Sequence, residues 1–166
     1  MTTVNFKGQP VKTIGKLPEV GSKAPDFTLV AQDLSEINLG SFGSKKKIIN
    51  IVPSLDTGVC ATSAKKFQEA VRREPDAVLI SVSMDLPFAQ SRFCKSESVD
   101  QKQVLSCFRS TFPKDYGVQL IEGPLKGLCS RAVVVLDHDN KVIYVQQVPE
   151  ITQEPDYDSV MKSITK

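Results

Sequence analysis

Lys47-Ile-Ile-Asn-Ile-Val-Pro-Ser-Leu-Asp-Thr-Gly-Val-Cys60 is the stretch on which the reading of the whole chain turns. Ile48–Val52 is apolar without alternation, as a strand covered on both faces must be. A Pro/Asp/Thr/Gly loop follows. From Cys60 the apolar positions Ala64, Phe67 and Val71 recur at helical spacing, while Lys65, Lys66, Glu69, Arg72 and Arg73 fall on the other side. Ala77–Val82 is then a second apolar run. Strand, helix and strand in that order make a βαβ unit, with its strands parallel because a helix crosses between them. Cys60 therefore stands at the carboxyl end of the first strand, the edge where open α/β sheets place their sites.

Outward from this unit the chain is punctuated by turn residues. Thr3–Phe6 and Val11–Ile14 read as an N-terminal hairpin around Lys7-Gly8-Gln9-Pro10. Phe27–Val30 and Ile37–Leu39 read as a short antiparallel pair. A helix is expected from Pro87, with Asp85 as its cap and Pro in the first turn, where its missing N–H is harmless. Leu86, Ala89 and Phe93 would form the buried stripe of that helix, which turns Cys94 toward the polar side and leaves it more exposed than Cys60. Val104–Phe108 reads as a strand and Phe112–Tyr116 as a short helix. Ala132–Leu136 and Val142–Val148 pair around Asp137-His138-Asp139-Asn140, and Pro155–Ile164 closes the chain as a helix.

The 166 residues fit one domain spanning 1–166, large enough to bury roughly 70 % of the surface that the unfolded chain exposes. A net charge of +2 is too small to argue for nucleic acid, and the basic run Lys45–Lys47 reads as a solvated turn before a strand. No apolar stretch is long enough for a membrane span, and the N-terminus lacks the regions of a signal peptide, so a cytoplasmic location is expected. In that reducing compartment the four cysteines, Cys60, Cys94, Cys107 and Cys129, suit transient rather than permanent disulfides. No pair has CxxC spacing and only one His is present, which argues against a zinc site; no cofactor is expected. Cys107 and Cys129 read as small buried hydrophobes.

Cys60 sits where a helix begins, and the free N–H groups and positive dipole end of a first turn favour an anion. The gain is large in general. A thiol of pKa ~8.5 is about 3 % ionised at pH 7, and one lowered to ~6 is about 90 % ionised. Thr57, one helical turn earlier, offers a hydroxyl, and Arg131, at the start of the Ala132–Leu136 strand, offers a permanent cation. Each residue has a plainer alternative: Cys60 as a core residue, Thr57 as a helix cap, Pro53 as a strand terminator and Arg131 as a surface residue. A Cys-His dyad is disfavoured, because the only His, His138, lies in a polar turn. A thiolate with an Arg and a hydroxyl but no proton shuttle suits a peroxide, whose reduction leaves a sulfenic acid that a second thiol can trap as a disulfide. Cys94, 34 positions on and on the next helix, is a candidate for that second thiol.

Pro53-x-x-x-Thr57-x-x-Cys60 resembles the active-site motif of the peroxiredoxins. The fuller runs Pro53-Ser-Leu-Asp-Thr-Gly-Val-Cys60, Asp85-Leu-Pro-Phe-Ala-Gln-Ser-Arg-Phe-Cys94, Arg131-Ala-Val-Val-Val-Leu-Asp137 and Glu150-Ile-Thr-Gln-Glu-Pro-Asp-Tyr157 resemble the bacterial thiol peroxidases among them. The resemblance spans nearly the whole chain. It implies an α/β, thioredoxin-like fold, a central mixed sheet flanked by helices, with an N-terminal β-hairpin. Cys60 would be the peroxidatic cysteine and Cys94 the resolving cysteine of an atypical 2-Cys cycle, closing a Cys60–Cys94 disulfide. Hydrogen peroxide and organic hydroperoxides are the implied substrates, organic ones preferred, and thioredoxin the implied reductant. Pro53 would shield the thiolate, and Thr57 and Arg131 would bind it and the peroxide oxygens. A homodimer is implied, with the loop around Leu125 and Leu128 a candidate for part of its interface. A general thiol–disulfide oxidoreductase, which usually relies on CxxC, and a non-enzymatic redox sensor are the alternatives.

One consequence is physical. A disulfide needs Cα atoms within about 7 Å, which two cysteines at the first turn of one helix and well along another are not expected to satisfy, so the cycle includes local unwinding around both. Closing the span between them favours the oxidised form by roughly 3–4 kcal/mol of chain entropy, less any strain.

Overall fold

A computed structural model describes residues 1–165. β1 (Thr3–Phe6) and β2 (Gln9–Lys12) form a separate antiparallel hairpin, and seven further strands form one sheet in the order β4-β3-β7-β6-β5-β8-β9. These strands are β3 (Thr28–Val30), β4 (Glu36–Asn38), β5 (Lys46–Ile51), β6 (Ala77–Ser83), β7 (Val104–Ser106), β8 (Ala132–Leu136) and β9 (Val142–Gln147). The helices are α1 (Gly58–Val71), α2 (Pro87–Glu97), the short α3 (Phe112–Asp115) and α4 (Tyr157–Ile164). This is the mixed sheet with an N-terminal hairpin that the resemblance implies.

The βαβ reading holds in register. β5 pairs parallel with β6 from Lys46↔Ala77 to Ile51↔Val82, and β6 continues parallel onto β7 from Ser81↔Val104 to Ser83↔Ser106. On the other side β5 pairs antiparallel with β8, which pairs antiparallel with β9. Alternate residues of these strands serve two cores. Ile49, Ile51, Ile80, Val82, Leu105, Ala132 and Val134 pack with Phe27, Phe112 and Tyr116 on one face. Ile48, Leu79, Val133 and Val135 pack under Phe67 and Val71 of α1 and Val160 and Ile164 of α4 on the other. A smaller cluster between α1 and α2 holds Val52, Leu55, Ala64, Val99 and Val104, and both Cys60 and Cys94 lie in it.

Several boundaries differ from the sequence reading. The hairpin turns on Lys7 and Gly8 alone, both at positive φ, so the second strand starts at Gln9 and carries Pro10 on its edge. Lys47 is not part of a solvated turn. β5 begins at Lys46, and Lys47 is fully buried with its ammonium donating to the carbonyls of Gly43 (3.0 Å) and Lys45 (2.8 Å). Its aliphatic stem fills the core while its head finds backbone oxygens at the strand end.

Among the described residues, no helix is long and apolar enough to cross a membrane.

Candidate active site

The carboxyl ends of the three parallel strands β5, β6 and β7 converge, and the site is built there. β5 ends at Ile51; the chain turns through buried Pro53 and enters α1, whose N-cap is Thr57. The Thr57 Oγ1 accepts the backbone N–H of Cys60 at 3.3 Å, so Cys60 lies in the first turn of α1. Its sulfur points into the protein and is fully buried.

Arg131, the residue before β8, reaches that sulfur. Nη2 donates to Cys60 Sγ at 3.2 Å, and Nε donates to the carbonyl of Ile151 at 2.6 Å. The guanidinium is buried, with only 2 % of the residue exposed, and Nη1 has no partner among the described residues. The hairpin holds this arrangement in place. Asn5 donates its backbone N–H to Pro149 O (2.7 Å) and accepts that of Ile151 (2.8 Å), while Glu150 accepts the N–H groups of Lys7 and Gly8. The segment whose carbonyl orients Arg131 is thus pinned to the N-terminus of the chain.

Asp85 joins the two cysteine-bearing segments. Its carboxylate accepts from Ser54 Oγ, Leu55 N and Ser83 Oγ, each at 2.7 Å, and its carbonyl accepts from Ser106 Oγ at 2.6 Å. The Ser83 hydroxyl also accepts from Gln90 Nε2 of α2 at 3.1 Å. One carboxylate thereby clamps the loop before Cys60 to the strand end and to the helix that carries Cys94.

Residues 19–161 match the family described as Redoxin. The chain is 44 % identical over 164 residues to the thiol peroxidase of Corynebacterium glutamicum, covering 99 % of each chain. The chain belongs to the thiol peroxidases of the Redoxin family. Among solved structures, it is similar to a peroxiredoxin-like protein from Aquifex aeolicus (TM-score 0.92, 45 % identity, 99 % of this chain and 96 % of that one). It is also similar to a thiol peroxidase from Chromobacterium violaceum (TM-score 0.91, 26 % identity, 98 % and 95 % covered). The fold is thioredoxin-like, as in the peroxiredoxins.

Within this thiol peroxidase fold the five site residues read from sequence fall unevenly. Cys60 and Arg131 touch. Pro53 is buried at the exit of β5, and Thr57, itself exposed, is the helix cap, its hydroxyl lying 3.4 Å from the carbonyl of Ser54. Cys94 lies in the same apolar cluster as Cys60, but its sulfur accepts from Gln32 Nε2 at 3.3 Å, and all four cysteines are free thiols. His138 is remote from this chemistry, bonded to Asp76 at 2.6 Å in the β8–β9 turn.

Two expectations for α2 are overturned. Cys94 is only 2 % exposed, because the helix buries Pro87, Gln90 and Cys94; Leu86 and Ala89 are exposed, and of the expected stripe only Phe93 packs inward, half-buried against the same cluster. Gln90 concealed that stripe: an amide is tolerated inside because it bonds Ser83 Oγ and the Leu105 carbonyl (3.0 Å). Asp85 does not cap α2 either. The N-cap is Leu86 with no side-chain bond, since the carboxylate is engaged by Ser54, Leu55 and Ser83.

Sequence reading passed over Gln32, Ser54, Ser83, Ser106 and Tyr157. The three serines carried a signal, since each follows or ends an apolar parallel strand at the site edge; Gln32 carried none. Burial pushes the Tyr157 phenol up, helped by its hydrogen bond to Glu154, and it lies within electrostatic reach of both Arg131 and Cys60. Burial also raises the Cys94 thiol, against the lowering effect of Gln32. A groove of about 380 Å³ runs between the loop entering α1 and the outer face of α2, lined by Leu55, Thr57, Ala61, Asp85, Ala89 and Arg92 among others, and neither cysteine lines it.

Asp85→Ala strands three donors and is expected to destabilise the fold by roughly 2–4 kcal/mol, with amide exchange accelerated first at residues 54–58; an unchanged exchange pattern there would remove Asp85 as the clamp. Because a raised pKa lowers the thiolate fraction at any given pH, Cys94 in a Cys60→Ser chain should alkylate more slowly at pH 8 than a free thiol. Its rate should still be climbing above pH 9, and Gln32→Leu should shift the profile further up.

Proposed function

We propose that Cys60 is the peroxidatic thiol and Cys94 the resolving thiol of a thioredoxin-linked cycle that reduces hydroperoxides. The protein is a peroxidase of the thiol peroxidase family, and the observation that carries the assignment of its centre is the Arg131 guanidinium on the buried Cys60 sulfur. A fixed cation against sulfur stabilises a thiolate in a site where no water competes for it. The thiolate attacks the terminal oxygen of R–O–OH, the O–O bond breaks, and the departing RO⁻ or HO⁻ takes up a proton from solvent to become the alcohol or water. Cys60 is left as a sulfenic acid. Arg131 Nη1, a buried donor without a partner among the described residues, holds a peroxide oxygen as charge builds on it in this reading. Pro53 keeps water from the sulfur, and Thr57, by re-aiming its hydroxyl from Ser54, supplies a second donor.

Resolution then joins the two thiols. Cys94 condenses with the sulfenic acid, releasing water and forming a Cys60–Cys94 disulfide, which the dithiol of thioredoxin reduces by exchange. The two sulfurs rest on different partners, Arg131 and Gln32, on two helices. Both helix segments therefore unwind locally in each turnover, and the Asp85 clamp is what opens. The whole chain acts as one domain, in the cytoplasm and as a homodimer. Leu125 is half-buried against the cluster that holds Val4 and Val11 of the hairpin with Leu120 and Ile151, so an interface built on it would lie next to the hairpin.

The test is hydroperoxide-dependent oxidation of NADPH through thioredoxin reductase and thioredoxin. The native sequence should turn over well above the background; Cys60→Ser should fall to it, and Cys94→Ser should reduce one equivalent of peroxide per site and stop. Arg131→Ala should lose roughly 10²–10³-fold in kcat/KM. A native rate at background would sink the thioredoxin-linked cycle, and sustained turnover by Cys94→Ser would take away its resolving role.

A further inference from the structure

Two cysteines lie outside this cycle. Cys107 and Cys129 are fully buried, as their reading as small core residues predicts, yet they are also in contact: their sulfurs are 3.9 Å apart. They come from separate parts of the chain. Cys107 follows β7, and its backbone N–H extends the β6–β7 pairing by donating to Ser83 O at 2.9 Å. Cys129 lies in the extended segment before β8, bridged to Gln119 and held by Leu120 N→Leu128 O and Ser130 N→Val118 O, both 2.8 Å.

We propose that Cys107 and Cys129 are a second redox site, a dithiol that hydroperoxides oxidise to an intramolecular disulfide. A sulfur–sulfur bond is ~2.05 Å long, so roughly 2 Å remains to be closed, a distance within reach of rotation about the two Cα–Cβ bonds. Neither cysteine is in a helix, so no helix has to unwind to bring the sulfurs together. The Cys129 thiol is held well above the ordinary thiol range by its hydrogen bond with Cys107 and by burial, and it keeps its proton. One of the two thiols and R–O–OH give a sulfenic acid and the alcohol; the other thiol then displaces water from that sulfenic acid, and the disulfide forms. Two thiols are oxidised, one hydroperoxide is reduced, and the oxidant is the enzyme's own substrate.

The position of the pair gives it a consequence. Ser106, next to Cys107, donates to the Asp85 carbonyl, and the Asp85 charge is felt at Cys129, so the dithiol lies beneath the clamp that joins the two catalytic segments. A Cys107–Cys129 bond ties the end of β7 to the segment that leads into Arg131 and β8. Oxidant reaches the buried pair by local opening of the polar edge that Asp85 holds, a fluctuation that needs neither Cys60 nor Cys94 to react, so the site does not rest on the cycle proposed above.

A chain carrying Cys60→Ser and Cys94→Ser isolates the site. After prolonged exposure to excess hydrogen peroxide and alkylation under denaturing conditions, both remaining thiols should be blocked to the alkylating reagent. Mass mapping should find a peptide linking Cys107 to Cys129, lighter by two hydrogens. The melting temperature should rise by roughly 5 °C or more, because the cross-link restricts the unfolded chain, and dithiothreitol should reverse the rise. Two alkylatable thiols after oxidation, or separate sulfinic acids with no linked peptide, would overturn the proposal. With either Cys107 or Cys129 further changed to Ala, at least one of the two chains should leave a sulfenic acid on the remaining thiol that dimedone traps, and no adduct in either chain would overturn the sulfenic acid route. In the native sequence both disulfides should form. A Cys107–Cys129 link without a Cys60–Cys94 link would overturn the catalytic pairing and leave the second site standing.

Discussion

The contact between the Arg131 guanidinium and the Cys60 sulfur is the constraint around which the molecule is arranged. Burying a guanidinium is expensive unless its donors are met and an anion is at hand. Here one nitrogen is met by the Ile151 carbonyl and one by the sulfur, and the third is buried without a partner among the described residues. Such a group is stable only if the surrounding structure holds it, and each neighbour contributes. β8 sets the position of Arg131 by pairing with β5, the strand that leads to Cys60. The N-terminal hairpin, which at first sight decorates the fold, pins the segment 149–151 that orients the guanidinium.

A second constraint opposes the first. In the cycle proposed for Cys60 and Cys94, the site must be dry and rigid for the sulfur to be a good nucleophile, yet a disulfide between the two helices would demand that both let go. Asp85 reconciles these needs because its links are hydrogen bonds to short polar groups rather than apolar packing. Such links are directional and hold geometry closely, but each is worth only a few kcal/mol at most. On the proposed cycle the apolar strands beneath would stay folded while the polar edge opens, and the disulfide proposed for Cys107 and Cys129 would add a cross-link on the scaffold side of that boundary.

Much of this was legible in the chain. The apolar run before Cys60, the helical stripe after it and the second apolar run at Ala77–Val82 gave the parallel unit with its site edge, because burial on both faces leaves a strand no polar residues to alternate. Cys94 was expected on the polar side of α2 and is buried instead. A buried Gln90 broke the apolar stripe of α2, and hydropathy has no means of telling a satisfied amide from a solvated one. Lys47 misled in the same way, as its head returns to backbone oxygens that lie close only once the strand is formed. The contact between Cys107 and Cys129 is invisible in their spacing.

By itself, then, the sequence determined the elements, the parallel core and the residue types available to sulfur chemistry, since these follow from periodicity, turn residues and the intrinsic reactivity of side chains. Only the tertiary structure decided which of those groups meet. Arg131 reaches Cys60 across 71 positions, Gln32 reaches Cys94 across 62, and Asp85 reaches Ser54 across 31. Contacts of that range are set by strand order and register, which arise from the packing of the whole sheet and not from any local stretch of it.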